Sequence, residues 1–110
     1  MDDDEKRETW EAFDELVNMT PSALDDWLAT DTSRDAGQHG GGGESTGHAS
    51  GRRILAILRG SRSDLSDDDY QHMRKVVGYI RRHLAQRPSG DVRDSRWRHS
   101  LMNWGHDPLA

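Results

Sequence analysis

The sequence predicts an all-α fold, a compact bundle of about five helices with a mobile Gly-rich loop. Three observations carry that expectation. Apolar residues recur three and four apart along most of the chain, and no stretch alternates in the way a half-buried strand would. Ser and Thr stand ahead of several of these stretches, where helix starts need a capping hydroxyl. The core is thin, with only 17 of 110 residues Leu, Ile, Val or Phe, and four Trp supply large buried area to compensate.

The first helix is expected from about Arg7 to Met19, with Trp10, Phe13, Leu16 and Val17 at helical spacing. Residues 1–6, MDDDEK, read as an acidic disordered leader ahead of it, without the apolar stretch of a secretory signal. Thr20-Pro21 is an N-cap followed by proline at the first helical position, opening a second helix that carries Leu24, Trp27 and Leu28. Two short helices joined so tightly resemble a helix-turn-helix, but the second carries Asp25 and Asp26 and no base, which repels DNA. Residues 31–49 read as a flexible Gly-rich linker.

A third helix is expected from Ser50 or Gly51 to about Gly60, with Ile54, Leu55, Ile57 and Leu58 between Arg52-Arg53 and Arg59. The fourth is the best specified. Ser66 caps it, Asp67, Asp68 and Asp69 fill the first turn where the helix dipole favours acids, and Arg87-Pro88 stops it. At about 100° per residue, Tyr70, Met73, Val76, Val77, Ile80 and Leu84 form the core face. Gln71, Arg74, Lys75, Gly78, Arg81 and Arg82 fall on a second arc, and His72, Tyr79 and His83 on the remaining edge. A short fifth helix from about Asp94 to Asn103 places Trp97, Leu101 and Trp104 together, with Gly105 as its C-terminal cap.

Charge is uneven. The formal net charge is -5, yet residues 1–50 carry -10 and residues 51–110 carry +5. Either the halves fold against each other and neutralise, or the basic half faces an anionic partner. Arg outnumbers Lys 13 to 2 and Asp outnumbers Glu 15 to 5, a bias that suits a salt-rich (halophilic) cytoplasm. The lack of Cys excludes disulfides, thiolate metal sites and cysteine nucleophiles, and no apolar run is long enough to span a bilayer. The expectation is one cytoplasmic helical domain over residues 1–110, with no membrane partner.

The chemistry-bearing motifs are weak. Gly42-Gly43-Glu44-Ser45-Thr46-Gly47-His48-Ala49 has Walker A glycine spacing, but His48 stands for the lysine and Ala49 for the Ser/Thr. A lesser reading leaves Ser45, Thr46 and Ser50, near Arg52 and Arg53, to hold one phosphate. His72 and His83 are about 16 Å apart along one helix, too far to share a metal ion. His99, His106 and Asp107 suit caps or surface. The expectation is a non-enzyme with no cofactor and no metal site.

The basic arc is the strongest lead. Eight bases lie between Arg74 and Arg98, and Arg suits bidentate contact with phosphate. Gly78 would admit a backbone closely, and Tyr79 or Trp97 offers a ring for a base. The blocks VNMTPSALDDWLAT, ESTGHASGRRILAILR, DDDYQHMRKVVGYIRRHLAQRP and SLMNWGHDP resemble a small uncharacterised family, a domain of unknown function with bacterial, haloarchaeal and fungal members, some labelled DNA-binding protein. The resemblance implies no catalytic residue or cofactor. It supports nucleic acid, DNA foremost, as partner, through Arg52, Arg53, Arg74, Lys75, Arg81, Arg82 and Arg98. Within SLMNWGHDP, Asn103, Trp104, His106 and Asp107 form either a chain-closing turn or a partner pocket. The alternative function is a protein-interaction or stress-adaptor module that binds another helix, or a second copy as a homodimer, through an exposed part of the Met73/Val77/Ile80/Leu84 stripe or the C-terminal Trp pair.

Overall fold

A computed structural model describes residues 1–36 and 45–110. These form six α-helices: α1 (Asp3–Leu16), α2 (Pro21–Leu28), α3 (Asp31–Ala36), α4 (Thr46–Arg59), α5 (Asp67–Leu84) and α6 (Arg96–Asn103), with a 3-10 turn at Arg62–Asp64. No strand occurs among the described residues, and the all-α expectation holds. The expected glycine run at residues 37 and 40–43, and with it residues 42–44 of the Walker-like stretch, lie outside the described residues.

The acidic leader is corrected to the first turn of a helix. Asp2 caps α1 by accepting from the Glu5 amide at 2.8 Å, and Asp3, Asp4 and Glu5 sit where the helix dipole favours negative charge. Lys6 adds an anchor, lying 3.3 Å from Asp67 and 5.6 Å from the centre of the Tyr70 ring. Phe13, with Trp10 and Leu16 beside it, packs α1 along α5. Thr20 caps α2 through the Ala23 amide as expected, and Leu24 and Leu28 turn inward.

The linker is corrected at both ends. Residues 31–36 form α3, because Thr30 caps its first turn and the buried Ser33 and Ala36 pack on α6. α4 begins at Thr46, since Ser45 and not Ser50 caps it, accepting from the His48 amide at 3.1 Å. The two glycines in its first turns permit close packing. A Cβ on Gly51 would lie 2.5 Å from the Asn103 carbonyl oxygen and 2.6 Å from Leu28 Cδ2.

α5 follows its expectation closely. Ser66 and Asp69 form a reciprocal capping box, and Tyr70, Met73, Val76, Val77 and Ile80 are buried. α6 starts two residues later than expected, capped by Ser95. It ends in a Schellman turn: the His106 amide donates to the Leu101 carbonyl and the Gly105 amide to that of Met102, both at 3.0 Å. Gly105 holds φ +82° there, and a Cβ would lie 2.9 Å from Val17 Cγ1.

Candidate functional site

α5 organises the candidate surface because each of its three faces meets a different environment. The apolar face enters the core. The His72–Tyr79–His83 edge turns to α6, and the basic arc turns outward with α1 along one border.

On the basic arc, tertiary structure divides the expected binding residues. Arg74 lies 3.8 Å from Glu5 of α1, and Arg53 of α4 lies 3.4 Å from Asp69. Arg98 is not on this surface at all. Its guanidinium donates twice to Asp107, both at 3.0 Å, and once to the Arg93 carbonyl at 2.9 Å, a structural ion pair that raises Arg98 and lowers Asp107 from their ordinary pKa values. Arg52 is exposed on α4, lining a separate groove with Arg34, Arg59 and Asp25. Lys75, Arg81 and Arg82 remain exposed on α5, with no carboxylate oxygen within 4 Å among the described residues. Arg81 does share a groove with Glu5 and Glu8, so α1 tempers that border of the arc. Gly78 is covered by its own helix, for a Cβ there would lie 3.0 Å from the Arg82 guanidinium.

The two charged halves therefore neutralise in part. Arg59–Asp25 at 3.0 Å and Arg74–Glu5 at 3.8 Å cross between them, whereas Arg53–Asp69 and Arg98–Asp107 lie within the basic half.

Aromatic packing corrects another expectation. Tyr79 is not free to stack on a base, because both its faces are taken, by His83 at 4.0 Å and Trp104 at 4.1 Å between ring centres. His72 continues the column 6.3 Å beyond Trp104 and shares a 3.0 Å hydrogen bond with the Ser50 hydroxyl. Burial pushes the Tyr79 phenol up and both imidazoles down. Arg53 and Lys75 lower His72 further, and Arg82 does so at His83.

Beside this column lies a cleft of about 480 Å³, within the ~300–1,000 Å³ usual for ligand sites. Tyr79, His83, Trp97, Trp104, Ser100 and Gly47 are among its walls. Sequence reading did not assemble it, although the shared edge of Tyr79 and His83 on α5 was its visible trace. Of the expected partner pocket, Asn103 and Trp104 line this cleft, but His106 and Asp107 do not. His106 Nδ1 pairs with the Leu16 carbonyl at 2.6 Å, and the Asp107 amide donates to Asn18 at 2.8 Å, so those two close the chain onto the α1–α2 corner. Asn103 is a structural hub. Its Oδ1 accepts from Trp27 Nε1 at 2.8 Å and Ser33 Oγ at 2.5 Å, while Nδ2 donates to the Ser33 carbonyl at 2.9 Å.

Other expected sites take part in packing. Ser45 Oγ accepts from the His48 amide, the Ser50 hydroxyl shares a hydrogen bond with His72, and His48 Nε2 pairs with the Leu28 carbonyl at 2.7 Å. Among the described residues no group of three or more His, Asp or Glu is placed to hold a metal ion. Of the Met73/Val77/Ile80/Leu84 stripe the first three are buried and Leu84 is half-buried; of the C-terminal Trp pair Trp104 is buried and Trp97 half-buried, and among the described residues Leu109 stands exposed, at 40%. No helix among the described residues is long and apolar enough to cross a membrane.

A family model described as "Protein of unknown function (DUF3140)" matches residues 12–102. The chain belongs to the DUF3140 family. The match takes in α2 to α5 and ends at Met102, inside the SLMNWGHDP block, so it covers the basic arc and most of the cleft but not the Gly105 turn. Neither the search of curated proteins nor that of solved structures returned a match.

Proposed function

We propose that this DUF3140 chain is a non-catalytic nucleic-acid-binding domain, with DNA as its target, that meets phosphates through the outward arc of α5. Lys75, Arg81 and Arg82 are the main contacts, with Arg53 at the border beside His72. The reading is supported by one observation above all. In a chain with 20 acidic residues, these three cations of one helix have no carboxylate within ion-pairing distance among the described residues. A cluster left un-neutralised in an acidic protein favours an anionic partner over an internal one. Contact through phosphates positions the domain without reading sequence, and in a salt-rich cytoplasm it would be weak.

The test is a titration of labelled duplex and single-stranded DNA from about 50 mM to about 1 M salt, with circular dichroism to follow folding. Three phosphate contacts give a log–log slope of about -2 on single strands and about -2.7 on duplex. R81E/R82E should abolish binding while staying folded, because neither arginine holds a carboxylate. Arg98→Gln should leave the binding of folded protein unchanged. Absence of binding at the lowest salt, or undiminished binding by folded R81E/R82E, refutes the proposal.

A further inference from the structure

The cleft beside α5 carries a further reading. Its described lining contains Tyr79, His83, Trp97 and Trp104 but no Asp or Glu, although the chain holds 20 acids. Its described walls set the rings of Tyr79, Trp97 and Trp104 among polar side chains that include Arg96, a lining suited to a flat polar ring and without the carboxylates that would select a cation. Polar groups are distributed around that slot. The side chains of Thr46 and Gln86 line it and take no hydrogen bond from other described residues. These are donors and acceptors available to the edge of a heteroaromatic ring.

Its position adds charge complementarity. His83 and Tyr79 form one wall, and Arg82, next to His83 in sequence, is close enough to shift the protonation of both. Lys75 stands in the same relation to His72 at the far end of the ring column. Lys75 and Arg82 are two helical turns apart, about 10.5 Å along α5. Arg82 and Lys75 thus share one side of α5, beside the ring column that walls a slot whose described lining holds no acid.

We infer that the cleft takes an unpaired base of a single nucleic-acid strand whose phosphates lie along Lys75 and Arg82. This inference rests on the phosphate-binding reading above and adds the site at which a single strand is told from a duplex. The base enters edge-first beside Trp97 and His83, because the faces of Tyr79 are closed. Stacking and burial of a base are sequence-tolerant, so strand form and not sequence would be selected.

The experiment compares three probes of equal phosphate number: a mixed-sequence single-stranded DNA, an abasic strand with the same backbone, and the duplex. Binding is measured by anisotropy at low salt. The intact strand should bind at least about fivefold more tightly than the abasic one, the lower end of what one stacked base contributes. Gly47→Leu, which builds a side chain into the cleft where a Cβ would lie 3.5 Å from Trp104 Nε1, should erase that difference and leave abasic binding unchanged. Equal binding of intact and abasic strands overturns the base site while the phosphate reading stands, and it decides the matter even if the Gly47 variant misfolds. Failure of every probe to bind overturns both.

Discussion

Replacing Asn103 with Ala tests whether this residue is a structural hub or a ligand contact. Asn103 and Ser33 are 1% and 0% exposed, so water does not reach the bonds between them. The substitution strands the Ser33 hydroxyl and carbonyl in that dry site, and each buried polar group left without a partner costs about 1–3 kcal/mol. The Trp27 indole is only half-buried and can turn its N–H to water, so it adds little. The sum is about 2–6 kcal/mol, against total stabilities of about 5–15 kcal/mol for domains of ordinary size. With a urea dependence of about 2 kcal/mol per molar, the unfolding midpoint should fall by about 1–3 M, read from tryptophan fluorescence and far-UV circular dichroism together. Asn103→Asp sharpens the test. An ionised carboxylate keeps both accepted bonds but turns an oxygen lone pair toward the Ser33 carbonyl, whereas a protonated carboxyl restores the donor. Its loss of stability should therefore shrink as pH falls. A midpoint for Asn103→Ala within about 0.5 M of the parent, on that same urea dependence, would refute the hub and return Asn103 to the cleft as a ligand contact.

Two further outcomes follow from the geometry. Gly105→Ala should destabilise by about 2 kcal/mol or more, since φ +82° strains an L-residue and Val17 leaves no room; Gly90→Ala, at φ +85° with nothing within 4 Å, should cost only the strain of about 1 kcal/mol, and equal losses in urea melts would contradict the packing argument. Stability should also fall as pH drops below about 6.5, because burial holds His72 and His83 under their ordinary value and the unfolded chain takes up protons first. The contribution is fully present above the unfolded value and is lost as pH descends toward the folded ones. A flat urea midpoint between about pH 7.5 and about pH 5.5, or no flattening in H72Q/H83Q, would count against it.

What the sequence made legible was everything enforced locally. Ser66, the three following aspartates and the 3-4 spacing of Tyr70 to Ile80 specify α5 without help from the rest of the chain. Thr20-Pro21 does the same for α2. The short α3 was hidden because its six residues are polar by composition, and Ser33 is buried only through hydrogen bonds to Asn103 that no local pattern records. The acidic N-terminus misled for the opposite reason: charges that read as solvated are also those a helix dipole accepts. The basic arc on α5 was likewise visible, but not which of its members would be paired. Arg74 meets Glu5 and Arg98 meets Asp107 through tertiary folding, so helical periodicity could place the cations and not count the free ones. The cleft needed four elements to converge, of which only the α5 edge could be read in advance.

The closure of the chain onto itself has a consequence for biosynthesis. Met19 donates its amide to the Gly105 carbonyl, Asn18 exchanges hydrogen bonds with Asp107, and His106 holds the Leu16 carbonyl. The corner between α1 and α2 is thus completed by residues translated about ninety positions later, so α1 and α2 must wait, at least partly unlocked, while the intervening chain is made at about 5–20 residues per second. Val17 acquires Gly105 as a neighbour only after that glycine leaves the ribosome. A nascent chain arrested before it would present the Val17 side chain to chaperones, and release of Gly105 to Asp107 would be the step that ends that exposure.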